Sequence, residues 1–157
     1  MFGSKIAFFY VWKGNDIMNG ISDKINSDLK TKKLDNPDKK KALIVDDETD
    51  ICYLLSHILK QKNIQTDFAG SLEEADRMLQ SSNFFYYVFL DNHLPDGLGI
   101  NQIKRWKEKF PFIHLIMITA HDSFEERRKA ASDGADNFIS KPFSRDIIFK
   151  TIVPTLA

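Results

Sequence analysis

Five residues in this sequence, Asp46, Asp47, Asp91, Thr119 and Lys141, are of types that do chemistry together, and each ends or follows a short apolar run. Asp91 is the clearest. Residues 84–90, FFYYVFL, are all apolar or aromatic, as suits a parallel-sheet strand buried on both faces. The run stops at this carboxylate, before the turn formers Asn92, Pro95, Asp96 and Gly97. A charge where a buried strand leaves its sheet lies at the carboxyl edge, where open α/β sheets place their ligands. Asp46 and Asp47 follow the run 42–45, Thr119 ends IHLIMIT, and Lys141 ends residues 137–141. Taken singly these are edge acids, a β-branched strand residue and a surface lysine. The signal lies in all five falling at strand ends.

Three carboxylates brought together without compensation repel, and at least one pKa rises. A hard cation relieves this. Mg²⁺ prefers a few carboxylates plus waters and phosphate oxygens to an all-protein cage, and Lys141 adds a mobile positive point charge. A carboxylate pinned between a metal and a lysine can attack phosphorus and become an aspartyl phosphate. Metal and lysine then stabilise the charge spread over the equatorial oxygens, and the Thr119 hydroxyl bonds one of them.

Those residues must be positioned by a strict alternation of elements. Residues 42–45 predict a first strand, followed by an amphipathic helix with Ile51, Leu54, Leu55, Ile58 and Leu59 on one face. Residues 64–69 predict a second strand, and Ser71 with Glu74 a capping box that opens a helix to about Gln80. Strand 84–90 comes third. Ile100, Ile103 and Trp106 mark a third helix closed before Pro111, and 113–119 a fourth strand. Ser123 with Glu126 opens a fourth helix ended by Gly134. Residues 137–141 form the fifth strand and 144–153 the fifth helix, stopped by Pro154. Five strands alternating with five helices mean a doubly wound parallel α/β sheet. The expected arrangement is flavodoxin-like (βα)5, strand order 2-1-3-4-5, which brings Asp46, Asp47 and Asp91 together at the switch point.

Composition bounds the function. Lys and Arg balance Asp and Glu at 22 each, so overall charge argues for neither nucleic acid nor membrane. The balance is uneven: residues 1–41 hold nine lysines against five aspartates. Single Cys52 excludes an internal disulfide and fits a reducing, cytoplasmic location. No cysteine–histidine cluster suggests zinc. The apolar stretch 6–12, IAFFYVW, is too short to span a bilayer, and no small-residue cleavage site follows it. Residues 1–40 read as a basic, flexible N-terminal extension, with Met18 as an alternative start, and residues 41–157 as the folded domain.

The pieces LIVDDE (43–48), FLDNHLPDGLG (89–99), MITA (117–120) and ISKPF (139–143) together resemble the receiver domain of bacterial two-component response regulators, a chemotaxis-regulator-like fold, over residues 41–153. The resemblance implies that Asp91 is the phosphoacceptor. It implies that Asp47 binds Mg²⁺ directly, Asp46 largely through water, and the backbone carbonyl of His93 completes the protein ligands. Thr119 and Lys141 take the switch-hydroxyl and phosphate-pairing roles, Phe138 is the switch aromatic, and a cis peptide is expected at Lys141–Pro142. No member of the set is missing, which argues against a degenerate receiver. His93 and His121 occupy variable positions that flank the phosphoryl site, where an imidazole orients or blocks an attacking water.

The expected function is a stand-alone receiver, since no output domain follows Val153. A histidine kinase or histidine phosphotransfer protein would donate the phosphoryl group. A downstream protein, or a second copy, would bind the face carrying Phe124, Arg127, Arg128, Lys129 and Phe138. Catalysis would be limited to the domain's own phosphorylation and dephosphorylation. Two readings compete. One is a receiver-type scaffold indifferent to phosphorylation. The other is a Mg²⁺-dependent phosphatase of the haloacid dehalogenase type, which wants an acid where His93 stands. Because little apolar surface in residues 1–36 belongs to the domain core, deleting them is expected to leave the melting temperature within a degree or two and phosphorylation unchanged. A loss of several degrees would mean that IAFFYVW docks on the domain or on a second subunit.

Overall fold

Alternating burial in the central strands sets the architecture. In β1 (Lys41–Val45), Ala42 and Ile44 face one side of the sheet, and Leu43 and Val45 the other. The same split recurs in β3 (Tyr87–Asp91) and β4 (His114–Thr119), whose residues are buried on both faces apart from half-buried His114. Strands apolar on both faces need helices on both sides. The computed structural model describes residues 40–81 and 84–152. Around these strands it places α1 (Thr49–Lys60), β2 (Gln65–Ala69), α2 (Leu72–Gln80), α3 (Ile103–Lys109), α4 (Phe124–Asp133), β5 (Asn137–Ser140) and α5 (Arg145–Thr151). The sheet is parallel throughout and ordered β2-β1-β3-β4-β5, the expected 2-1-3-4-5. One core packs α2, α3 and α4 on the sheet; the other packs α1 and α5. The readings placed on residues 1–39 lie outside the described residues.

Burial, rather than surface charge, holds the layers together. Trp106 of α3 is completely buried, and its indole Nε1 donates to Asp76 Oδ1 of α2 at 2.8 Å. Truncating such a residue costs about 3–5 kcal/mol, against roughly 0–1 kcal/mol for an exposed ion pair such as Arg77–Glu73. Helix starts follow the capping residues: Ser71, Ser123 and Ser144 accept from the N–H of Glu74, Glu126 and Ile147. Gly134 ends α4 at φ 105°, a left-handed conformation that glycine adopts without penalty.

Several boundaries differ from expectation. The third strand starts at Tyr87: Phe85 is buried ahead of it, while Phe84 is exposed. Ile100 sits in a 3₁₀ turn, Gly99–Asn101, before α3 rather than in the helix. The turn after Asp91 holds a two-residue antiparallel hairpin, His93–Leu94 with Gly97–Leu98. Lys141 lies one residue past β5, and Ser144 caps α5 from outside it. Among the described residues no helix is long and apolar enough to cross a membrane.

His114, at the start of β4, gives the fold a pH dependence. Its ring stands edge-on to Tyr87 at 5.8 Å, and Nε2 lies 3.1 Å from Asn137 Nδ2. Burial lowers its pKa below the ordinary histidine value, with Asp136 opposing. The unfolded chain therefore takes up a proton that the folded chain resists. Stability present above the ordinary value of 6.5 is lost as pH falls through it toward the folded pKa. The melting temperature is expected to drop between pH 7.5 and pH 5.5, and His114→Gln to flatten that profile, measured by thermal denaturation of both proteins.

Candidate functional site

Register brings the five residues to one edge. Val45 pairs with Leu90, Asp91 with Ile118, and Thr119 with Ser140, so Asp46, Asp91, Thr119 and Lys141 all sit at the carboxyl ends of neighbouring strands. Asp46, Asp47 and Asp91 each offer a carboxylate oxygen within 4.8 Å of the others. Asp46 and Asp91 are buried, and Asp47 is exposed at the mouth. This all-oxygen set suits a hard cation rather than zinc.

Lys141 ties the acids together. Its Nζ lies 2.8 Å from Asp46 Oδ2, 2.9 Å from Glu48 Oε1 and 3.0 Å from Asp91 Oδ1. Burial alone would pull the ammonium pKa down. The hydrogen bonds to Asp46, Glu48 and Asp91 outweigh burial and hold it above the ordinary lysine value. Burial pushes the Asp46 carboxyl above its usual range, against the hydrogen bonds it accepts from Lys141 and from Glu48 N–H. The Lys141–Pro142 peptide is cis. Asp91 Oδ2 accepts from His93 N–H at 2.7 Å, so both its oxygens are held. Thr119 is fully buried, with Oγ1 accepting from His121 N–H at 3.1 Å and its carbonyl accepting from Lys141 N–H. The His93 and His121 rings lie 4.8 Å apart, and both residues are exposed.

Phe138 is half-buried on β5 and packs against the core under α4. Phe124, the first residue of α4, is 75% exposed. The basic residues of that face are not all free: Arg127 pairs with Asp122 and Lys129 with Asp133.

Four residues join the site that residue types alone did not single out. Glu48, at the N-cap of α1, makes no side-chain cap and instead gives its carboxylate to Lys141. Asn92, 2% exposed, accepts from Ile100 N–H and donates to Glu126 Oε1 of α4 at 3.1 Å. Asp96 accepts from the N–H groups of Leu72 and Glu73, pinning the loop after Asp91 to the start of α2; these bonds hold its carboxyl below the usual range. Gly99 closes that loop, its N–H donating to Asn92 carbonyl. Asn92 and Asp96 were visible in the sequence as turn formers after Asp91, but nothing local gave the partners these residues take. An apolar cavity of about 270 Å³, lined by Leu79, Phe84, Phe110 and Phe112, opens at the opposite edge; it offers Lys109 and no carboxylate, so the chemistry is not there.

Fold and site together define a doubly wound α/β domain with an acidic, lysine-bridged centre at its topological switch point. The chain belongs to the response regulator receiver domain family, whose model matches residues 42–153. Over 104 residues it is 36% identical to the response regulator protein PilR of Pseudomonas aeruginosa, covering 66% of this chain and 23% of that protein. It is 32% identical to the transcriptional regulatory protein PmrA of Pectobacterium parmentieri, covering 66% and 46%. The chain thus spans less than half the length of these curated relatives. The beryllofluoride-activated NtrC4 receiver domain dimer is similar in structure, with TM-score 0.67 and 39% identity over 71% of this chain and 91% of that one. A CheY-like receiver domain protein from Methanospirillum hungatei JF-1 gives TM-score 0.68 at 28% identity over 73% and 90%.

The loop geometry makes a specific demand at Gly99. A Cβ there would stand 2.1 Å from the Asp91 carbonyl oxygen and 3.0 Å from the Leu90 side chain. Backbone cannot yield as a side-chain tip does. Gly99→Ala is expected to destabilise the domain by about 1–3 kcal/mol, read as a lower urea midpoint, and to disturb the amide resonances of Asp91 and Asn92.

Proposed function

We propose that this chain is a phosphorylation-controlled protein–protein switch in which Asp91 accepts a phosphoryl group. The observation that carries the reading is Lys141 Nζ at 3.0 Å or less from Asp46, Glu48 and Asp91, while three carboxylates crowd within 4.8 Å. A centre built this way is short of positive charge, which a Mg²⁺ ion would supply.

In this reading the donor is a phosphohistidine of a histidine kinase or a histidine phosphotransfer protein. An Asp91 carboxylate oxygen forms the new bond to phosphorus as the P–N bond breaks, and the imidazole leaves with the electron pair. Asp46, Asp47, Asp91 and the His93 carbonyl would hold Mg²⁺, which when bound neutralises charge on the phosphoryl oxygens. Lys141, already protonated and held among the acids, pairs one phosphoryl oxygen, and the Thr119 hydroxyl another. His93 and His121, two residues beyond Asp91 and Thr119, orient or block an attacking water. Movement of Phe138 then alters the face carrying Phe124, Arg127, Arg128 and Lys129 for a downstream protein or a second copy. The activated NtrC4 receiver is a dimer, which supports the second copy as one such partner. The reading places the protein in the cytoplasm with such a kinase.

Incubated with acetyl phosphate and Mg²⁺, the protein is expected to gain one acid-labile phosphoryl group, read by intact-mass spectrometry. Asp91→Asn should abolish it, and Asp47→Ala should slow it at least tenfold. Equal labelling of Asp91→Asn would sink the assignment. Steady turnover of a generic phosphomonoester would point to a phosphatase, and failure to bind Mg²⁺ to a scaffold.

A further inference from the structure

The face beneath α4 holds a closed set of contacts that the phosphoryl chemistry does not use. Arg127, in the first turn of α4, donates from Nε and Nη2 to the two oxygens of Asp122, in the loop that leaves β4. Its Nη2 also donates to Ser140 Oγ at 3.1 Å, and Ser140 Oγ donates back to Asp122 Oδ2. Asp122, Arg127 and Ser140 therefore form a triangle that bridges β4, α4 and β5. Its guanidinium plane does further work: the Arg127 Cζ lies 4.6 Å from the centre of the Phe138 ring. Ser140 is the register partner of Thr119, and Phe138 that of Met117.

We propose that Asp122, Arg127 and Ser140 form a latch that holds Phe138 in this half-buried position, and that the latch sets how readily phosphorylation of Asp91 throws the switch. The inference rests on the reading of Asp91 and Phe138 given above; the latch residues are positioning residues that act through Phe138. The geometry is suited to the task. A bidentate carboxylate fixes the guanidinium in its plane, and a fixed plane stacks on an aromatic ring in a way a flexible ammonium does not. Hydrogen bonds from Arg127 first, and then from Ser140, hold the Asp122 carboxyl at about 2, so the clamp stays charged at neutral pH. All of this is seen with Thr119 Oγ1 held by His121 N–H and Lys141 bonded to Asp91. Contacts that stabilise one of two conformations oppose any ligand that prefers the other. Asp122 and His121 are neighbours in sequence, so the loop that positions the Thr119 hydroxyl also carries the clamp.

Simple charge and the latch make opposite predictions for one of the two key substitutions. Arg127→Ala removes a positive charge near an anion site, and on charge alone should weaken binding of an anionic phosphoryl mimic. Asp122→Ala removes a negative charge and should strengthen it. The latch requires both to strengthen it, because either substitution frees Phe138. The experiment is a titration of the full chain with beryllofluoride in the presence of Mg²⁺, followed by the amide resonances of the Asp91 and Thr119 loops and of Phe138. The midpoint is expected to fall roughly three- to tenfold in Arg127→Ala and in Asp122→Ala, the size of a released cation–π and ion-pair contact. The double substitution should fall no further. In a Phe138→Ala background, Arg127→Ala should no longer lower the midpoint. Shifts of opposite sign in the two single variants, or a shift that survives in the Phe138→Ala background, would overturn the latch. Wild-type protein with no saturable response to beryllofluoride would overturn the phosphoacceptor reading, and the latch with it. A wild-type response beside an unchanged Arg127→Ala midpoint would overturn the latch alone.

Discussion

Like charges at one sheet edge are the constraint on which the rest of the structure depends. Two carboxylates about 4.8 Å apart repel by on the order of 3 kcal/mol at an effective dielectric of 20, and Asp46, Asp47 and Asp91 all lie within that distance of one another. Their companions are buried strands, so solvent cannot fully screen them. The chain answers with one ammonium. Lys141 comes from 95 residues beyond Asp46, and it reaches Asp46, Glu48 and Asp91 only because β5 sits at the far side of β4 in the parallel order. Any rearrangement of the sheet would strand the acids unpaired. The topology and the electrostatics are thus one requirement stated twice.

Most of the fold was legible because its signals are local. Alternation of apolar strands with amphipathic helices gave the order 2-1-3-4-5, and serines with a glutamate three residues on gave two N-caps, at Ser71 and Ser123. The errors cluster where tertiary contacts override local pattern. Phe84 extends an apolar run but is 64% exposed, because the strand begins only where Tyr87 meets Ala42 and His114 across the sheet. Ile100 keeps the apolar spacing of a helix, yet its N–H is taken by the Asn92 side chain, which leaves the 3₁₀ turn ahead of α3. Glu126 fits a capping box with Ser123, and its carboxylate does lie 3.3 Å from Ser123 Oγ, but it also accepts from Asn92, 34 residues away. Glu48 is visible beside Asp46 and Asp47, but nothing local says that Lys141 will claim it.

The centre and the α4 face are joined by two separate threads. One runs from Asn92, next to Asp91, directly into Glu126 of α4. The other runs through Thr119 and the loop that follows it to Asp122 and Arg127. The first is a bond between a fully buried amide and a half-buried carboxylate, and it needs no side chain to change rotamer. It therefore suits the anchoring of α4 rather than its release. The second ends on a half-buried aromatic and on exposed charged groups, which move at little cost.

Thr119 is where that second thread must yield. It is fully buried, its hydroxyl oxygen accepts from His121 N–H, its carbonyl accepts from Lys141 N–H, and its backbone lies opposite Ser140. In the proposed switch, a Thr119 hydroxyl drawn toward a phosphoryl oxygen would give up its bond from His121, and with it the resting position of the loop that carries Asp122. Close-packed interiors do not leave the resulting space empty, since an unfilled methyl-sized gap forfeits dispersion contacts on every side. Phe138, half-buried against the same core, is of a size to occupy it. In the switch proposed above, moving that ring would remove the surface on which the Arg127 guanidinium rests, so a change at Thr119 would become a rearranged pattern of charge on α4.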